Sequence, residues 1–340
     1  MKEEENTSSN VREITFKEAV SEAMSQEMER DSRVFLMGED LQVFYGGGPM
    51  GVTPAEKFVK KFGSDRVRDT PISEAAFIGA GIGAAMCGMK PIVELMFVDF
   101  FGVAMDQIYN QAAKIRYMFG GQGKVPMVLR TTIGAGFSFA AQHSQCLYSI
   151  FMHVPGLKVV VPSTPHDAKG LLISAIRDED PVMFFEHKGL YPTKGPVPEA
   201  EYTIPFGQAQ IKRRGKDVTI VATAMMIEKS LKAATQLEAE GIEAEIIDPR
   251  TLMPLDKETV LHSVRKTSRL VIVDEDYERC GFASEVSAIV ADEGFDLLDG
   301  PIKRITTPNV PIPFAPVLEK TVIPSEEKII EAVKDLVCKK

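Results

Sequence analysis

The sequence predicts an α/β protein of two domains, each a mostly parallel sheet with helices on both faces. Three observations carry this reading. Short apolar runs rich in Val, Ile and Phe alternate with helix-like runs, a pattern of parallel sheets covered on both sides. The alternation is interrupted by "KGLYPTKGPVPEAEYTIP" (188–205), which holds four prolines and no helical or strand period, as inter-domain linkers do. The pattern then restarts. A chain of 340 residues also exceeds one ordinary core. The expected divisions are a disordered tail over 1–12, a first domain over 13–190, a linker over 191–205 and a second, smaller domain over 206–340.

The first domain's strands are expected at "VFLM" (34–37), "PIVELMF" (91–97), "PMVLRT" (126–131), "LKVVVP" (157–162) and "PVMFFE" (181–186). Each is apolar and bounded by turn residues or by helix-like sequence. A helix from 165 to about 177 is well marked. Thr164 suits its cap, Pro165 its first position and Asp167 its first turn. Ala168, Leu171, Leu172, Ala175 and Ile176 then share one face. In the second domain the order is "VTIVATA" (218–224), a helix from about 227 to 240, "EAEIID" (243–248), a helix near 257–266 and "RLVIVDE" (269–275).

Composition narrows the function. The formal net charge is −9, and the longest basic run is "KRR" at 212–214. A phosphate-backbone binder carries a basic patch, so nucleic acid is not an expected partner. The four cysteines include no CxxC pair, which argues against a disulfide framework or a zinc centre and fits a reducing cytosol. The start "MKEEENTSSN" lacks the basic and apolar parts of a signal peptide. The weakly polar run 75–89 is rich in Gly and falls short of the ~18 apolar residues that span a bilayer. The expectation is a cytoplasmic protein with no membrane partner.

Several familiar motifs fail on inspection. Gly79, Gly81 and Gly83 do not make a dinucleotide fingerprint, because position 84 is Ala and the glycines fall inside the helix-like run. Close helix packing accounts for them better. "GGQGKV" (120–125) lacks the upstream Gly and the Ser/Thr of a P-loop. No GxSxG elbow, HExxH helix or "GDG" followed by paired Asn, the diphosphate and magnesium signature of thiamine enzymes, occurs.

Two residues remain as candidates. Glu74 opens "EAAFIGAGIGAA" as a lone acid, with Ser73 or Asp69 available to cap the helix. It suits a first helical turn by its interaction with the dipole. Its apolar neighbours Ile72, Ala75, Ala76 and Phe77 suggest a second reading: a poorly solvated carboxyl that shares a proton with a heterocyclic nitrogen. His143 stands in "GAGFSFAAQHSQ" (134–145), a loop of small and polar residues after a strand. Such loops bind ligands in α/β folds, although a lone loop histidine is also commonly structural or solvated. The other four histidines have no metal-ligand spacing.

"DTPISEAAFIGAGIGAA", "ELMFVDF", "NQAAKIRYMFGG", "AAQHSQ", "VPGLKVVVPSTPHDAKGLL" and "AIRDEDPVMFFEHKGLY" occur in this order. Together they resemble the beta subunit of the thiamine-diphosphate-dependent first component of 2-oxoacid dehydrogenase complexes, from about residue 14 to 337. "RTTIGAGF" (130–137), "IDPRTLMPLD" (247–256), "DEDYERCGFASEVSAIVADEGFDLLDGPIKRIT" (274–306) and "PFAPVLE" (313–319) resemble the acetoin dehydrogenase branch more than the pyruvate branch. The segment after "GED" (38–40), "LQVFYGGGPMGVT", is shorter than in some acetoin enzymes.

The resemblance implies a transketolase-like pyrimidine domain followed by a transketolase-like C-terminal domain. It implies that Glu74 hydrogen-bonds the pyrimidine ring of thiamine diphosphate and favours the tautomer that removes the thiazolium proton. Met96 and Phe100 would contact the same ring. His143 would transfer protons at the substrate and during lipoyl acylation. Backbone carbonyls of Met127, Ala175, Asp178 and Asp180 match a structural potassium site. Diphosphate and magnesium would be held by an alpha subunit, in an assembly of two alpha and two beta chains that serves a lipoyl transacetylase. The implied reaction is cleavage of acetoin to acetaldehyde and an acetyl unit. The alternatives are a pyruvate or other 2-oxoacid dehydrogenase beta subunit and a non-catalytic assembly or regulatory module on the same fold.

Overall fold

The computed structural model describes residues 12–41 and 55–338. The expected tail, apart from Arg12, and residues 42–53 of the segment after "GED" lie outside the described residues. The first sheet has seven strands in the order Thr251–Met253, Lys158–Val160, Val182–His187, Val128–Ile133, Lys90–Phe97, Val34–Glu39, Val67–Thr70. All adjacent pairs are parallel except the first, which is antiparallel. The second sheet has five strands in the order Lys303–Thr307, Leu270–Tyr277, Val218–Ala222, Ala244–Asp248, Gln210–Arg213, with only the last antiparallel. The parallel, doubly covered sheets expected from the apolar runs are both present.

Local chemistry explains the helices that position the first sheet. Phe16–Arg30 starts on a capping box: the Thr15 hydroxyl accepts from the Glu18 N–H at 3.1 Å, and the Glu18 carboxylate accepts from the Thr15 N–H at 2.8 Å. Pro165–Arg177 runs over the expected residues, and the Thr164 hydroxyl accepts from the Asp167 N–H at 3.1 Å. The helix Glu74–Met86 begins differently. Ser73 occupies the cap position but makes no side-chain cap bond, and Asp69 lies in the strand Val67–Thr70. Neither expected cap is used.

The three spaced glycines of that helix separate by environment. A Cβ on Gly81 would sit 2.6 Å from Val93 Cγ2, whereas one on Gly83 would meet nothing within 4 Å. Close packing therefore explains Gly81 and not Gly83. Gly81→Ala should destabilise, because overpacking costs ~1–3 kcal/mol against a helix-propensity gain of ~1 kcal/mol. Gly83→Ala should stabilise by that gain. Thermal melts of the two variants should move in opposite directions, and a shared direction would refute the packing assignment.

The two domains share a core. One apolar cluster runs from Phe16, Ile92 and Phe185 through Val221, Ile247 and Leu252 to Phe282 and Val290. The Thr251–Met253 strand joins the first sheet although its sequence lies among second-domain elements. The Pro-rich stretch is likewise strapped down. Lys194–Pro196 pairs with Glu13–Thr15, and buried Lys169 donates to the carbonyls of Pro198, Glu199 and Ala200 at 2.7–3.0 Å. A strand of three residues paired only at one edge leaves no period for a sequence reading to detect.

Candidate active site

In the first sheet the six parallel strands deliver their carboxyl ends to the same edge, where open α/β folds bind ligands. Glu39 ends Val34–Glu39, and Glu74 opens the helix that follows Val67–Thr70. Met96 and Phe100 sit at and just after the end of Lys90–Phe97. His143 lies in the loop after Val128–Ile133, and Lys188 follows Val182–His187.

Glu74 is buried, with 9% of its surface exposed, and its carboxylate has no hydrogen-bond partner among the described residues. Ile72, expected to dry it, is 80% exposed and does not. Sequence reasoning missed a second acid, Glu39. Burial first, then the charges of Glu74 and Asp40, raise its carboxyl above the ordinary range. Among the described residues its Oε1 is buried without a partner, as is the Thr70 hydroxyl on the adjacent strand. The available signal was an acid directly after the buried run "VFLMG".

The structure brings His143 and Phe100 together. The imidazole stands edge-on to Phe97 and Phe100, with ring centroids 4.8 and 5.3 Å away. Among the described residues its ring nitrogens have no hydrogen-bond partner. The backbone is held more firmly: buried Lys188 donates from Nζ to the His143 carbonyl at 2.6 Å and lies 5.2 Å from the Phe97 ring centre. Gln145 donates from Nε2 to Asp99 at 2.8 Å and accepts from Tyr277 at 3.2 Å. Beneath Met96, Arg130 forms a two-pronged pair with Glu186 at 2.7 and 3.0 Å and reaches Glu94 at 2.9 Å. This network ties three neighbouring strands of the sheet.

Burial pushes the Lys188 ammonium down to about 8. An unfolded lysine titrates near ~10.4. The buried charge therefore costs stability in full below pH 8, and the cost fades as pH rises from there to the unfolded value. Lys188→Met has no such titration. Urea unfolding at pH 7.5 and 9.5 should show wild type gaining relative to the variant at the higher pH; a constant difference would refute the assignment.

The four residues of the expected potassium site gather at the opposite edge, where the strands begin. The Met127 carbonyl accepts from the Val182 N–H at 3.0 Å, and that of Ala175 from the Asp178 N–H at 3.3 Å. Lys158 Nζ lies 2.7 Å from both Asp178 oxygens and 3.3 Å from Asp180. These residues stand apart from Glu74 and His143.

Comparison with known proteins places the arrangement. The family described as "Transketolase, pyrimidine binding domain" matches residues 12–194, and "Transketolase, C-terminal domain" matches 207–329. The beta subunit of acetoin:2,6-dichlorophenolindophenol oxidoreductase is 52% identical in Bacillus subtilis and 54% in Cupriavidus necator, over 95% of this chain and 97% of each relative. This chain belongs to the beta-subunit family of dehydrogenase first components. The pyruvate dehydrogenase E1 beta subunit of Rickettsia felis, at 47% identity over 94% of this chain and 97% of its own, lies in the same family. A split-gene transketolase, solved as an inactive beta4 tetramer, shares the fold with a TM-score of 0.76 at 24% identity, covering 96% of this chain and 98% of its own. Family membership accounts for both sheets and for the parallel-sheet edge at which Glu74 and His143 stand. Among the described residues no helix is long and apolar enough to cross a membrane.

Proposed function

We propose that this chain is the beta subunit of a thiamine-diphosphate-dependent acetoin dehydrogenase. The observation that carries the reading is Glu74, an acid at a buried position of the ligand-binding edge of the sheet, with no hydrogen-bond partner among the described residues. A carboxyl that no described residue engages is open to a ligand, and a pyrimidine ring nitrogen that shares its proton fits it. When bound, thiamine diphosphate supplies a thiazolium carbon that acts as nucleophile and electron sink. Glu74 holds and polarises the pyrimidine, Phe100 and Met96 pack against it, and His143 moves protons at the substrate oxygen.

Diphosphate and magnesium fall to an alpha subunit, since the motif that holds them does not occur in this sequence. The assembly is two alpha and two beta chains. Acetoin is cleaved to acetaldehyde, and the acetyl unit passes to a lipoyl group on a transacetylase. Potassium, bound by the carbonyls of Met127, Ala175, Asp178 and Asp180, would brace the far edge of the sheet. Four free cysteines suit a reducing cytoplasm. A pyruvate or other 2-oxoacid dehydrogenase beta subunit is the second reading, supported by relatives of 44–47% identity. A non-catalytic assembly module gives no reason for an acid without a partner among the described residues at the same sheet edge as His143.

Reconstitution tests the proposal. The chain alone should be folded and inactive, and adding the matching alpha subunit with thiamine diphosphate and magnesium should give acetoin turnover above pyruvate turnover. Turnover by the pure chain alone would refute the shared site, and pyruvate preference would select the second reading.

A further inference from the structure

The segment "PFAPVLE" contains a helix turned inside out. In Pro316–Val322 the apolar residues Val317 and Leu318 are 76% and 55% exposed, while the acid between them and the end, Glu319, is 2% exposed. Burying a carboxylate and exposing two aliphatic side chains is the reverse of what solvation favours. The acid is paid for by its partners. Glu319 Oε1 accepts from the Gly136 N–H at 2.7 Å, and Oε2 accepts from the Ser138 N–H at 3.1 Å. Both partners belong to the loop that carries His143, and Glu319 belongs to the other domain.

That loop needs holding. Gly134, Gly136, Ser138 and Ala140 all have positive φ, and the last two are not glycine. Left-handed backbone at Ser or Ala persists only when surrounding contacts enforce it. Glu275, on the second domain's Leu270–Tyr277 strand, adds a bond from the Ala135 N–H at 2.6 Å. Its other oxygen meets His187 Nε2 at 2.9 Å. Ala135 also packs with Val322 at the end of the helix and with Ile312 and Ile323 on either side of it. Three loop amides thus converge on two second-domain carboxylates.

We propose that Glu319 is a positioning residue: across the domain boundary it clamps the loop and thereby sets where the His143 imidazole stands. This rests on the proton-transfer reading of His143. The second domain then takes part in catalysis as well as in assembly.

Glu319→Gln tests this. It keeps the size but turns one acceptor into a donor that faces an N–H. On the isolated chain, amide hydrogen exchange should speed up at residues 134–143 while the sheets stay protected. In the complex with the alpha subunit, turnover should fall by about 10²-fold, as ångström-scale misplacement does. Added to His143→Ala, the change should cost little more, because both act through one group. Unchanged protection of the loop overturns the clamp. A cost that multiplies with that of His143→Ala overturns the link to His143. Full turnover by His143→Ala would sink the proton-transfer reading, and the exchange measurement would still decide the clamp. Should Glu319→Gln not fold, Glu319→Asp, too short to reach both amides, is read in the same way.

Discussion

Glu74→Gln is expected to lower thiazolium proton exchange in the assembled complex by orders of magnitude, on the scale of ~10²–10⁴-fold for a general acid–base group. Glutamine has nearly the same shape and remains compatible with the first turn of Glu74–Met86. Losing a charge near the helix dipole at a buried position costs at most ~2 kcal/mol, so folding and assembly should survive. No capping bond is at stake, because Ser73 contributes none and its carbonyl already accepts from Ala76 and Phe77 at 3.0 Å. What glutamine cannot do is share a proton with a ring nitrogen. A second readout is local. After burial, the Glu74 charge is the larger of two charges that raise the Glu39 carboxyl, so Glu39 should titrate lower in the variant. Wild-type proton exchange in a correctly assembled complex would reduce Glu74 to a partner of the helix dipole.

Legibility followed the range of the forces involved. Pro165–Arg177 was readable because its cap, its first-turn proline and its apolar face are all local. The interior strands were readable because burial on both faces leaves continuous apolar runs. Val67–Thr70, with sequence "VRDT", was not, since an edge strand needs only one apolar face. Thr251–Met253 was hidden for another reason: its partner, Lys158–Val160, is some ninety residues earlier, and the pairing is set by how the domains meet. The candidate site divides the same way. Glu74 stood out as one acid in an apolar run. Lys188, Glu275 and Glu319 look like ordinary charged residues in sequence, and only the fold turns them inward against the His143 loop. Ile72 shows the converse error, an apolar neighbour in sequence that faces outward in the structure.

His143→Ala should leave thiamine diphosphate binding nearly intact and slow a substrate-dependent step, again by ~10²–10⁴-fold. The difficulty is that alanine also removes a ring packed on Phe97 and Phe100. Lost aromatic contacts of this kind are worth ~0.5–1.5 kcal/mol beyond buried area, enough to loosen the loop without any chemistry being involved. His143→Phe separates the two effects. Phenylalanine can keep the edge-on packing at a site that is already half-buried, and it carries no proton. If the imidazole transfers protons, both variants should lose turnover and lipoyl acylation to a similar degree, while the phenylalanine variant melts close to wild type. If the ring only packs, phenylalanine should restore turnover where alanine loses it. The Lys188 bond to the residue's carbonyl survives both changes, because it engages backbone. Loss of activity in the phenylalanine variant therefore reports on the imidazole itself, and normal activity there would return His143 to a structural role.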